Sequence, residues 1–221
     1  VAPIARKGAH SVITDIEVGL SDTERQIRDS VHRFARDVMR PAGEQLDRLH
    51  DPQDVIASNS ILWDVFKKHR EAGLADIEGT TAELSPFERA RLRAITSEEM
   101  GWGDSGLAIS LGVANFHKTF AMMSGRPALI DRFVRGGQDE IGCWAVTEPD
   151  HGSDSLTFTE PHFSDSAIRA NCIATRDGDD YIIRGQKSGW VSNGTMATVA
   201  ALFCTIDPSQ GFKGGGVAVV P

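Results

Sequence analysis

Three hydroxyl residues and two indoles carry the chemistry this chain can do. Thr147 and Ser153 lie in the run Cys143-Trp144-Ala145-Val146-Thr147-Glu148-Pro149-Asp150-His151-Gly152-Ser153-Asp154. Ile141–Val146 is nearly all apolar, as a buried strand is, and Pro149 then stops ladder pairing. A hydroxyl and backbone groups at a strand end can match the alternating donors and acceptors on the edge of a flat heteroaromatic ring. Gly152 permits a backbone shape that other residues resist, and the free amides and small hydroxyl at Gly152-Ser153 suit a phosphate. The second run is Gly185-Gln186-Lys187-Ser188-Gly189-Trp190-Val191-Ser192-Asn193-Gly194. Trp190 supplies an apolar wall, and Ser192, two residues on, points to the same strand face.

Each residue also has a plainer use. Thr147 can satisfy a turn amide, Ser153 can cap a turn, and Trp144 and Trp190 can fill a core. His151, Ser153 and Asp154 are triad residue types, but near-neighbours on one turn do not converge as nucleophile, base and orienter. Gly185-Gln186-Lys187-Ser188 lacks the adjacent Gly-Lys and the upstream Gly of a phosphate loop, and no G-x-G-x-x-G follows a strand. No His pair stands at metal-ligand spacing, so no metal site is expected and the histidines are expected at the surface.

Net charge is −8, which disfavours nucleic acid as a partner. The three cysteines, Cys143, Cys172 and Cys204, are widely spaced and odd in number, fitting a reduced, cytoplasmic or other intracellular setting. No apolar run reaches membrane-spanning length, and no secretory signal opens the chain.

Residues 1–19 read as an arm, 20–139 as a helical domain and 140–221 as a small β domain, an α+β fold. Ser21-Asp22-Thr23-Glu24 and Ser85-Pro86-Phe87-Glu88 are capping boxes. Ile27, Val31, Phe34 and Val38 form a helical stripe that Pro41 should break or kink. Ile61, Leu62, Val65 and Phe66 form a second stripe, closed by Gly73. The helix from Pro86 should stop at Gly101, and Leu107–Met123 should be one longer helix. A short helix covers Pro127–Val134. Strands are expected over Ile141–Val146, Ile168–Thr175, Tyr181–Arg184, Val199–Thr205 and Val217–Val220, with a hairpin turn at Asp177-Gly178-Asp179-Asp180.

The two runs, in this order, resemble the flavin signature of the acyl-CoA dehydrogenase family. Ile61-Leu62-Trp63 through Ala72-Gly73-Leu74, Glu98-Glu99-Met100-Gly101 and Asp139–Cys143 agree as well, so the resemblance covers roughly residues 20–221. It implies a helical N-terminal domain and a middle β-barrel or sandwich, with the family's C-terminal helical domain absent. It implies FAD held by Trp144, Val146, Thr147, Gly152, Ser153, Trp190, Val191 and Ser192. Ser153 also stands near acyl-CoA, and Ser192 takes the place of the usual Thr at flavin N5. It implies an acyl-CoA substrate, an electron-transfer acceptor protein, and a homo-oligomer or complementary chain. The family's catalytic glutamate lies on the third domain, so no catalytic residue is assigned here, and the Glu148 carboxylate is structural by the same resemblance. A chain starting at Val1 without Met and ending on a fresh strand reads as a fragment, a processed piece or half of a split protein. An acyl-CoA oxidase, a flavin-dependent monooxygenase or a non-catalytic partner subunit are the alternatives.

Three features depart from the family pattern. His151 replaces a small residue, where it could crowd or polarise the flavin site. Ser188-Gly189 adds a residue before Trp190. Leu156–Ser166 lengthens the link after the first run and brings Phe158, His162 and Phe163, which could line a channel or an interface, or form a plain surface loop.

Overall fold

The computed structural model describes residues 17–137 and 139–221. Helices come first and a small sheet follows, the mixed architecture the sequence implies. The arm expected over 1–19 lies, up to residue 16, outside the described residues. The chain divides into two compact units at Ala108/Ile109.

The first unit is built on α1 (Asp22–Phe34), which the Ser21 capping box starts as expected. The helix does not break at Pro41. A π-helical turn, Ala35–Met39, carries it into α2 (Arg40–Leu46), where Pro41 sits in the first turn. The Arg40 amide donates to Ala35 O, five residues back, so the wider turn places the proline where an intrahelical amide is not needed. Short α3 (Pro52–Val55) follows, then α4 (Ile61–Glu71), closed by Gly73 at φ 72°. After α5 (Ile77–Thr80), α6 (Pro86–Gly103) starts at the second capping box and packs on α1. It runs two residues past Gly101 before Asp104 turns extended. Gly103 is the close-approach glycine, because a Cβ there would lie 2.9 Å from that of Ala35.

Polar pairs tie α1 to α6. Glu24, fully buried, caps Ser21 and accepts two bonds at 2.5 and 2.6 Å from Arg91 Nη2. Burial works to raise this carboxyl, but Arg91 and the Ser21 bonds outweigh it and hold it below the carboxylate range. His32 Nδ1 lies 2.7 Å from Glu99 Oε2, and Trp102 contacts both the His32 ring and the Arg40 guanidinium.

The expected Leu107–Met123 helix is two helices, α7 (Ser105–Val113) and α8 (Phe116–Met123). The break at Ala114-Asn115 frees the Ala114 carbonyl to accept the amide of Gly142, where the first strand starts. A short α9 (Pro127–Leu129) leads into a second π-helical turn, Ile130–Arg135. Not all histidines are at the surface: His69 and His117 are buried, because each lies on the apolar side of its helix against Phe34 and Phe133 respectively.

The second unit holds one five-stranded mixed sheet. Its strands are β1 (Gly142–Ala145), β2 (Ile173–Asp177), β3 (Asp180–Arg184), β4 (Val199–Thr205) and β5 (Gly215–Val220). β4 is central: it pairs in parallel with β1, from Gly142↔Val199 to Ala145↔Leu202, and with β2 at Ile173↔Thr205. β5 runs antiparallel along β4 from Ala200 to Thr205. The β2–β3 hairpin turns at Gly178, φ 63°, as the sequence implies. β2 starts five residues later than expected. The Asn171 and Cys172 amides bond the Glu148 carboxylate instead of a neighbouring strand, so the chain before Ile173 stays out of the ladder.

Candidate functional site

The two chemically suggestive runs meet in the second unit. Trp144 in β1 forms an antiparallel bridge with Ser192, its amide donating to Ser192 O at 3.3 Å. Past β1, the Ser188 amide donates to Thr147 O at 3.0 Å. Three steps along the first run therefore match four along the second, the offset of a β-bulge. Bridge partners share a sheet face, which puts Trp144 and Ser192 side by side.

Two sets of bonds hold this arrangement, and both turn on residues outside the expected site set. Asn193 takes φ 64°, which a short amide side chain tolerates best. Its Nδ2 donates to Ser110 O at 2.8 Å and Gly142 O at 3.1 Å, and its Oδ1 accepts from the Ser110 hydroxyl at 2.8 Å. The Asn-Gly after a strand-like run was the available signal, but it reads as an ordinary turn. At the other end, Lys187 Nζ donates to Val146 O at 3.0 Å and Glu148 Oε1 at 2.8 Å. The Glu148 side chain is fully buried, and both oxygens are taken by Lys187 and the Asn171 and Cys172 amides. It is a positioning group, as expected. Gly185 (φ 149°) lets the second run pass over Cys172, where a Cβ would lie 2.5 Å from the Cys172 Cα.

The hydroxyls and indoles are not used up inside the protein. The side chains of Thr147, Ser153 and Ser192 have no hydrogen-bond partner among the described residues, and neither the cap nor the turn role falls to them. It is Ser155 whose hydroxyl closes the turn, on Gly152 O at 2.7 Å. Trp190 is 84% exposed, so it is no core residue. Trp144 is half-buried against Phe116 and Phe203, with its Nε1 buried and unpaired. An orphaned indole N–H, an exposed indole and three unspent hydroxyls suit a flat ring with polar edges.

At the turn, Gly152 has φ −151°, and a Cβ there would meet only the Thr147 methyl, at 3.9 Å. Open space, not a left-handed backbone, distinguishes the position. Its amide is not free: it donates to Asp154 Oδ1 at 2.7 Å. Asp154 Oδ2 in turn holds His151 Nδ1 at 2.8 Å. Burial works to raise the Asp154 carboxyl, but the His151 bond and the Gly152 amide outweigh it and hold it low. His151 is thereby turned edge-on to Phe212, with ring centroids 5.2 Å apart. The Leu156–Ser166 segment is anchored: its Phe163 stacks on Phe212, although Phe158 is exposed.

Residues 143–221 match the acyl-CoA dehydrogenase middle domain. The chain is thus similar to acyl-CoA dehydrogenases, with the family-model match lying in its second unit. It is 27% identical to the mitochondrial 2-methylacyl-CoA dehydrogenase of Solanum tuberosum, over 88% of this chain and 43% of that protein. It is also 27% identical to the mitochondrial short-chain specific acyl-CoA dehydrogenase of Rattus norvegicus, over 96% of this chain and 46% of that one. The chain thus spans somewhat under half the length of these relatives. A structure of nitroalkane oxidase crystallized with 1-nitrooctane shares the fold, with a TM-score of 0.70 at 17% identity, over 91% of this chain and 48% of that one. Among the described residues no helix is long and apolar enough to cross a membrane.

Proposed function

We propose that these residues are the helical and middle domains, dividing near residue 140, of an FAD-dependent acyl-CoA dehydrogenase. The observation that carries this is the Trp144–Ser192 bridge, which turns two separate runs into one wall with unspent polar groups. Trp144, Val146, Thr147, Gly152, Ser153, Trp190, Val191 and Ser192 hold the FAD in this reading. When bound, FAD supplies the acceptor for the hydride that leaves the β-carbon of an acyl-CoA thioester.

The chain's own part is positioning. Trp190 offers a broad apolar surface for a ring to lie on, and Ser192 offers a hydroxyl at the ring's reactive centre. Thr147 meets the polar edge of that ring. Ser153, exposed on the turn, serves the phosphate and the pantetheine of the substrate. Glu148 is excluded as the base, since its oxygens are saturated and buried. The base comes from outside these residues, on a further segment or a partner subunit. An electron-transfer protein reoxidises the enzyme, the assembly is oligomeric, and the setting is a reducing intracellular compartment.

Gel filtration after FAD loading of the full-length protein tests the reading. Flavin absorbance should travel with the protein, and should fall when Trp190 and Thr147 are both replaced by Ala. Colourless protein after loading overturns it. Rapid reaction of the reduced protein with oxygen would reassign it to an oxidase or monooxygenase on the same fold.

A further inference from the structure

We propose that a cavity between the Leu156–Ser166 segment and strands β4 and β5 binds a small aromatic carboxylate. The cavity measures about 290 Å³. Phe163, Phe203, Phe212 and His151 give it aromatic walls, and Val146 and Val217 add apolar surface. Trp144, Thr147, Ser153, Trp190 and Ser192 do not line it, but Val146 does and Phe203 packs on Trp144, so the cavity adjoins the wall described above. Phe163 comes from the Leu156–Ser166 segment, and its stack on Phe212 closes that side of the cavity.

Size, ring geometry and charge define the ligand. An apolar cavity of about 150 Å³ takes a benzene ring. This one, about twice as large, takes a ring with a short chain. Phe163 and Phe212 stack at 5.9 Å, and His151 meets Phe212 edge-on, fixed there by Asp154. Aromatic rings gain more from such walls than saturated rings of the same size. Among the charged side chains of the lining, Glu148 and Lys187 neutralise each other at 2.8 Å. Lys213 is exposed and has no carboxylate partner among the described residues. The uncompensated charge is positive, so the polar end of the ligand is an anion held at Lys213.

Three probes separate these terms in calorimetric titrations of the 221-residue protein. 3-Phenylpropionate should bind saturably, and 3-cyclohexylpropionate several-fold more weakly. 3-Phenylpropan-1-ol should bind roughly fivefold more weakly than the acid, as expected for an exposed ion pair. Lys213→Met should abolish the preference for acid over alcohol. Val217→Phe fills the cavity and should abolish binding of all three; Ala170→Leu does the same from another wall, and circular dichroism confirms which variant is folded. The proposal is overturned by absence of saturable binding at millimolar ligand, or by equal affinity for the saturated ring. It also falls if Lys213→Met keeps the acid preference, or if a folded filler variant still binds. FAD plays no part in the readout, so failure here leaves the flavin proposal standing, and the reverse holds too.

Discussion

The amide of Trp144 bonds the carbonyl of Ser192, although the two residues lie in different sequence motifs. This single bridge fixes which hydroxyl stands next to which indole.

Ser192→Ala should slow flavin reduction in the full-length protein more than it weakens FAD binding. One lost hydrogen bond is worth about 1 kcal/mol, and more in a dry site. Single-turnover reduction, read at the flavin band, checks this. Ser192→Thr should restore the rate. An unchanged rate in Ser192→Ala removes the residue from the reacting centre.

Asn193→Ala should destabilise the second unit by roughly 2–3 kcal/mol, since it loses three hydrogen bonds and places a Cβ residue at positive φ. Asn193→Gly should recover about 1 kcal/mol of that, because glycine accepts the backbone but not the bonds. Urea unfolding midpoints give both values. Equal midpoints for the two variants would show that backbone conformation contributes nothing here.

Lys187→Met leaves the Glu148 carboxylate buried beside two amides with no countercharge. Breaking a buried pair from one side costs about 3–5 kcal/mol. Adding Glu148→Gln should recover part of the loss, since a neutral amide oxygen still accepts from Asn171 or Cys172. Thermal melts of both variants decide it: a double variant no more stable than Lys187→Met would place the cost in lost packing of the lysine stem.

Stability should fall as pH drops from about 6.5 to about 4. Burial pushes His69 and His117 down to about 4 in the folded protein, with Arg70 and Lys118 adding to it. Glu140 and the Ala114 carbonyl oppose this only in part for His117. Between these two pH values the unfolded chain binds protons that the folded one refuses, so acid favours unfolding. Above about 6.5 both states are neutral at these rings and the effect vanishes; below about 4 both are charged and the loss levels off. Each ring contributes at most about 3 kcal/mol. Chemical unfolding of His117→Phe across this range should show a flatter profile than the parent.

Residues 1–221 alone should not dehydrogenate acyl-CoA thioesters. A base must reach the substrate α-proton, and Glu148 is saturated. An assay with several acyl-CoA thioesters and an artificial electron acceptor checks this. Robust turnover by the verified 221-residue chain would place the base within it.

The sequence by itself determined the helix starts at Ser21 and Ser85, the β4 boundaries and the hairpin turn at Gly178, because these depend on neighbours a few residues away. It also picked out the two runs that carry the resemblance. Tertiary structure decided the rest. Pro41 does not break its helix, because a π turn takes up the misfit. Ile168–Cys172 alternates apolar and polar residues as a strand does but stays out of the ladder, where Glu148 captures the Asn171 and Cys172 amides. Asn193 and Lys187 read as loop residues until Ser110, Gly142, Val146 and Glu148 come to meet them. Trp190 could have been core or wall, since an indole suits both, and only its exposure separates them. Short-range hydrogen bonding and periodicity are written in the chain; which distant polar groups meet is fixed only once the sheet has formed and the unpaired ones must find partners.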